Sequence, residues 1–164
     1  MNKALSLAVA ATLSCASLNS EAQTMIGKTT DVAAIANGDR MNAETLWAMG
    51  RIGGAAASPD GKTVVYQVGY YSVKQNKSHQ MLYTVSADGK KQHSLTTTAA
   101  SESDATWIDG GKRIAFLTGG QLWSMNADGT DRRQLTKSEI DIEGYIFSPD
   151  EKKVILIKSL PYHE

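Results

Sequence analysis

Between Ala57 and Leu156 the chain says nearly the same thing twice and then begins again, and no other feature restricts its fold as much. Ser58-Pro59-Asp60-Gly61-Lys62 before Thr63-Val64-Val65-Tyr66 returns as Ile108-Asp109-Gly110-Gly111-Lys112 before Arg113-Ile114-Ala115-Phe116. It returns once more as Ser148-Pro149-Asp150-Glu151-Lys152 before Lys153-Val154-Ile155-Leu156. A second phrase alternates with it: Leu82 to Gly89 with Leu95-Thr96 recurs as Leu122 to Gly129 with Leu135-Thr136. Lys62 to Lys112 is 50 positions, Lys112 to Lys152 is 40, and Asp88 to Asp128 is 40. A period of this size, with two turn signals in each unit, is how a β-propeller blade of four strands looks in sequence.

Length then limits how much propeller there is. Four blades need on the order of 160 residues of repeat, whereas the repeat here begins only near Ala55 of a 164-residue chain. The expectation is an all-β, incomplete propeller of about two and a half four-stranded blades: blade one at about 55–97, blade two at about 104–137 and the start of a third at about 142–158. Val154 to Lys158 reads as a strand whose blade partners do not follow, so the chain is expected to be a piece of something longer.

The chain opens with a positive Met1-Asn2-Lys3 and an apolar run from Ala4 to Leu13 interrupted by Ser6 and Thr12. That is too short to span a bilayer and suits a signal peptide over 1–22, which predicts export to the periplasm. The small-residue pattern Ser20-Glu21-Ala22 places cleavage between Ala22 and Gln23. Cys15, the single cysteine, follows Thr12-Leu13-Ser14 in a degraded lipoprotein box and is an alternative site of lipid attachment. Residues 23–41 read as a flexible segment, and Asn42 caps a short helix, Ala43 to Met49, within a 42–50 unit closed by Gly50. Trp47 is expected to anchor that helix in a core seam.

Within the repeats, Pro59 presets the turn, Asp60 bonds the backbone ahead and Gly61 takes a positive φ. Thr63 to Val68 and Met81 to Ser86 read as strands, with Tyr71 to His79 an exposed loop between them. Gln92 to Thr96 forms the outer strand after the Asp88-Gly89 hairpin turn. Blade two repeats this with Trp107, Arg113 to Leu117, Gln121 to Met125, the turn Asp128-Gly129 and Arg133 to Thr136. Tyr145 to Phe147 opens the third unit before the Asp150 turn. Ala57, Trp107 and Phe147 share one register and are expected in the core.

Chemistry is harder to find. Seventeen basic and seventeen acidic residues balance, without the basic stripe that nucleic acid or anionic lipid would require. No G-x-S-x-G elbow and no His-Glu-x-x-His occurs in the sequence. His79, His93 and His163 are far apart and each lies in a polar setting. Asp60, Asp88, Asp109, Asp128 and Asp150 recur with the repeat beside Gly or Pro, which makes them turn formers and not acid/base pairs. No catalytic residue, cofactor or metal site is expected in these residues.

Ser58 to Lys62, Trp123 to Thr130 with Arg132 to Thr136, and Phe147 to Lys152 resemble the WD40-like PD40 repeats shared by the Tol-system propeller protein and the prolyl oligopeptidase (S9) family of serine peptidases. The order of signal peptide, helix Thr45 to Met49, Arg51-Ile52 and first Ser-Pro-Asp-Gly-Lys is similar to the exported dipeptidyl-peptidase 5-like, acylaminoacyl-peptidase-type members of that family from Bacteroidetes. The resemblance implies a parent that releases dipeptides from peptide substrates, with its Ser, Asp and His in a missing C-terminal α/β-hydrolase domain. It also implies a propeller that caps the active site and filters substrates. Ile108 to Gly111 has lost the Ser-Pro pair, and Glu151 stands where a turn glycine belongs. The alternative is a TolB-like periplasmic propeller that binds a protein partner without enzymatic activity. In either case severed blades would leave apolar strand faces that invite association.

Overall fold

The computed structural model describes residues 41–73 and 75–160. Asn42 caps helix α1, Ala43–Ala48, by accepting the Thr45 N–H on its side-chain oxygen at 2.7 Å, which satisfies one of the donors a helix start leaves orphaned. Ten strands follow: β1 Arg51–Ala57, β2 Thr63–Ser72, β3 Lys77–Ser86, β4 Gln92–Ser94, β5 Ser103–Ile108, β6 Arg113–Thr118, β7 Gln121–Asn126, β8 Arg133–Gln134, β9 Gly144–Phe147 and β10 Val154–Ile157. They form three antiparallel sheets in chain order, β1-β2-β3-β4, β5-β6-β7-β8 and β9-β10.

The sheets stack because each strand has two faces and both are apolar where a neighbour exists. Val65, Leu82 and Leu95 of the first sheet pack against Ile114, Phe116 and Met125 of the second in one cluster. The opposite face of the second sheet, Ala115, Leu117 and Leu122, packs against Tyr145 of the third and Ile142 before it. Ile114 to Leu117 is consequently buried residue after residue, as an unbroken apolar run requires. The same four positions of the third sheet, Val154 to Ile157, have no sheet beyond them among the described residues, and Ile155 is 65% exposed.

Three expectations are corrected. Residues 71–79 are not a long exposed loop: β2 runs on to Ser72 and β3 starts at Lys77, paired as Tyr71 with Ser78 and Tyr70 with His79. The tip of this hairpin lies in solvent, so its polar side chains imitate a loop, and Asn76 closes it in the left-handed region at φ 48°. Trp47 is not sunk in a core seam. It is 41% exposed, edge-on to Tyr71 at 5.7 Å with the Arg51 guanidinium 4.7 Å from its ring, and the buried residue of the helix is Thr45. Two helical turns are too few to drive a wide apolar face inward, so the aromatic ring settles on the rim beside a cation. Ala57 is exposed, while Trp107 and Phe147 at its register are half-buried and join the two clusters.

Candidate functional site

The functional features of the described residues lie along the seam between the first two sheets. On the turn side, Asp60 accepts the Ser58 hydroxyl at 2.6 Å and the Lys62 N–H at 3.0 Å. Asp88 does the same with Ser86 at 2.5 Å and Lys90 at 3.1 Å, and Asp150 with Ser148 at 2.6 Å and Lys152 at 3.2 Å. Asp128 takes both the Thr130 N–H at 2.9 Å and the Thr130 hydroxyl at 2.6 Å, with Asn126 in the serine's place. These hydrogen bonds hold all four carboxyls below the ordinary aspartate value, the hydroxyl donor being the largest cause each time. Gly61, Gly89 and Gly129 follow them at φ 69°, 74° and 88°, where a Cβ is strained. Glu151 occupies that position in the third turn at φ 55°.

Asp109 departs from this group. It sits in a 3-10 turn, Asp109–Gly111, at φ 52°, and its N–H donates to the Glu151 carboxylate at 2.6 Å. Counting from the landmark lysine, Gly110 and not Asp109 stands where Asp60 does. The turn lost with Ser-Pro was rebuilt by backbone bonds, such as Lys112 N–H to the Asp109 carbonyl at 3.2 Å.

A cleft of about 620 Å³ opens between the turns of the first two sheets, among Ser58, Asp60, His93, Trp107, Lys112 and Asp128. Its walls are close, since a Cβ on Gly111 would stand 2.9 Å from Pro59 Cδ. The serines there offer poor nucleophiles, because each donates its proton to a carboxylate held in its charged form, which is a weak base. His93 is exposed at the rim. Among the described residues no group of three His, Cys, Asp or Glu side chains is placed to hold a metal ion.

Deeper in the seam an ion pair crosses between sheets. Glu102, 1% exposed, takes the Thr96 hydroxyl at 2.8 Å and two contacts from the Arg132 guanidinium. Arg132 also donates to the Leu95 carbonyl at 2.8 Å and lies 5.2 Å from the Phe116 ring centroid. The exit of the first sheet is thus tied to the outer turn of the second. Sequence reasoning missed this pair, since 30 positions separate its members and neither carries a local signal. His79 is likewise not in a polar setting: it is 3% exposed, and burial pushes its imidazole below the ordinary histidine value. Its Nε2 has no partner among the described residues. Ala22 and Gln23, the expected cleavage pair, Cys15 and His163 lie outside the described residues.

No family model matches the chain. It is 42% identical over 119 residues to a dipeptidyl-peptidase 5 of Porphyromonas endodontalis, a match covering 70% of this chain and 17% of that protein. A dipeptidyl-peptidase 5 of Porphyromonas gingivalis is 40% identical over 129 residues, covering 76% of this chain and 19% of its own length. The chain spans less than a fifth of these curated relatives. Among solved structures it is similar to the Pyrococcus horikoshii acylaminoacyl peptidase at TM-score 0.57 and 14% identity, over 70% of this chain and 18% of that one. An acylaminoacyl peptidase in complex with Z-Gly-Gly-Phe-chloromethyl ketone gives 0.58 and 13%, over 71% and 19%. At those identities the likeness is one of fold alone. The sequence matches carry the relationship further: this chain is homologous to a segment of dipeptidyl-peptidase 5.

Proposed function

We propose that the chain is the N-terminal propeller portion of an exported serine-type dipeptidyl peptidase, and that its sheets are successive propeller blades that limit which peptides reach a catalytic domain. The observation that carries this reading is the 42% identity over 119 residues to a dipeptidyl-peptidase 5, joined to three sheets stacked in chain order by the same repeat. The catalytic Ser, Asp and His belong to an α/β-hydrolase domain outside this sequence, and the part played here is architectural. The leader 1–22, removed after Ala22, delivers the protein to the periplasm.

The test is to express the longest open reading frame containing this sequence and assay it on chromogenic dipeptidyl amides. Release of the chromophore, lost when the frame's G-x-S-x-G serine is replaced by alanine, supports the reading. A frame without such a serine, or one whose product is inert on every dipeptide tried, overturns it. Detection of the mature protein in a periplasmic extract beginning at Gln23 tests export separately. A lipid-modified N-terminus at Cys15 would contradict the cleavage site.

A further inference from the structure

Asp-Gly stands at four turns, 60–61, 88–89, 109–110 and 128–129. Such a pair can close on itself, because glycine leaves its amide nitrogen unhindered beside the aspartate carboxyl and the reaction needs only that the two groups meet. Three of the four turns hold both groups back. Asp60, Asp88 and Asp128 each accept two hydrogen bonds on one carboxylate oxygen. Gly61, Gly89 and Gly129 donate their N–H to the carbonyls of Ser58, Ser86 and Asn126 at 2.9, 2.7 and 2.9 Å. The bonds to the side chains also keep these three carboxyls ionised, and a carboxylate is a poor electrophile.

The turn at Asp109 lacks both restraints. Among the described residues its carboxyl has no hydrogen-bond donor and the Gly110 N–H has no acceptor, and both residues are exposed. Asp109 is also held at φ 52°, a left-handed backbone that strains an L-residue, with Gly110 and Gly111 following at φ 61° and 89°. The groups that shape this turn, Pro59, Lys112 and Glu151, all belong to the three sheets or their turns. The Ser-Pro-Asp-Gly turn thus protects its own aspartate, and the unit that lost Ser-Pro lost that protection.

We propose that Asp109-Gly110 is the site at which this chain isomerises to a β-linked aspartate. The Gly110 nitrogen bonds to Cγ of the neutral Asp109 carboxyl, and the hydroxyl leaves as water with the amide proton, closing a five-membered succinimide. Water then opens the ring in one of two ways. Cleavage of the new N–Cγ bond restores the original chain. Cleavage of the original bond, between the Asp109 carbonyl carbon and the Gly110 nitrogen, routes the backbone through the side chain and frees the α-carboxylate. The extra backbone carbon displaces the Asp109 N–H from the Glu151 carboxylate, so a tie between the second and third sheets is lost. The inference stands on turn geometry and does not depend on the peptidase reading.

The full chain is aged in mildly acidic buffer, folded and, in parallel, unfolded in guanidinium chloride. Isoaspartate is read by enzymatic methylation of the freed carboxylate from S-adenosylmethionine and located by mass spectrometry of tryptic peptides, each Asp-Gly falling in a different peptide. In the folded chain Asp109 should isomerise about fivefold faster than each of the other three, the factor set when one hydrogen bond must break before attack. In the unfolded chain the four rates should converge. Asp109→Glu, whose closure needs a six-membered ring, should remove the main signal, and Ser58→Ala should speed Asp60. Equal rates in the folded chain, another turn in the lead, or an Asp109 excess that persists undiminished in the unfolded chain overturns the proposal.

Discussion

The second and third sheets are written in nearly the same phrase and differ in what surrounds them. Ile114 to Leu117 and Val154 to Ile157 occupy equivalent positions, yet the first run is buried on both faces and the second exposes Ile155 and Ile157. The repeat therefore specifies strand, turn and register, while burial comes from the neighbour. In such an array stability is the sum of weak units and their interfaces, so substitutions at equivalent positions should have very different costs.

The largest effect is expected at the seam. Phe116→Ala removes a fully buried ring from the first cluster and should cost about 3–5 kcal/mol in urea unfolding. Leu117→Ala should also be costly, and an equal loss from Ile157→Ala at the equivalent place, where the side chain is 49% exposed, would erase the distinction between the sheets. Glu102→Ala strands the Arg132 guanidinium against Phe116 and should cost about 3 kcal/mol, whereas Glu102→Met with Arg132→Met should recover most of it. Asn42→Ala strips the cap from α1 for about 1 kcal/mol, read as loss of protection of the Thr45 amide. Ile155→Ser, at a side chain 65% exposed, should leave the chain within about 0.5 kcal/mol of the parent.

Acid should act in two stages. His79 has its folded value pushed below the ordinary 6.5, so the unfolded chain takes up its proton first and stability begins to fall as the pH drops under that value. The turn carboxyls are held below the ordinary 3.8. Their contribution is complete above that value and is lost as the pH falls through their folded values. Thermal melts against pH check the order: His79→Gln should remove the upper stage, and Ser58→Ala with Ser148→Ala should shrink the lower one.

Much of the architecture was legible because turns are chemically local. Ser58, Asp60 and Gly61 meet within four residues, and the spacing of such turns sets sheet size and order. The hairpin at Tyr71 to His79 was misread because both faces of its tip are wet and no alternation marks the strands. Glu102 with Arg132, and the burial of His79, depend on how one sheet lies on the next, and nothing in the local sequence encodes that meeting.

Amide hydrogen exchange on the dilute chain tests the stacked-sheet account most directly. The slowest amides should be those of Ile114 to Leu117 in β6 and their β7 partners, with Val154 to Ile157 exchanging at least tenfold faster. Equal protection in β6 and β10 would contradict the claim that a neighbouring sheet on each face is what makes one copy of the repeat a core and leaves the other exposed.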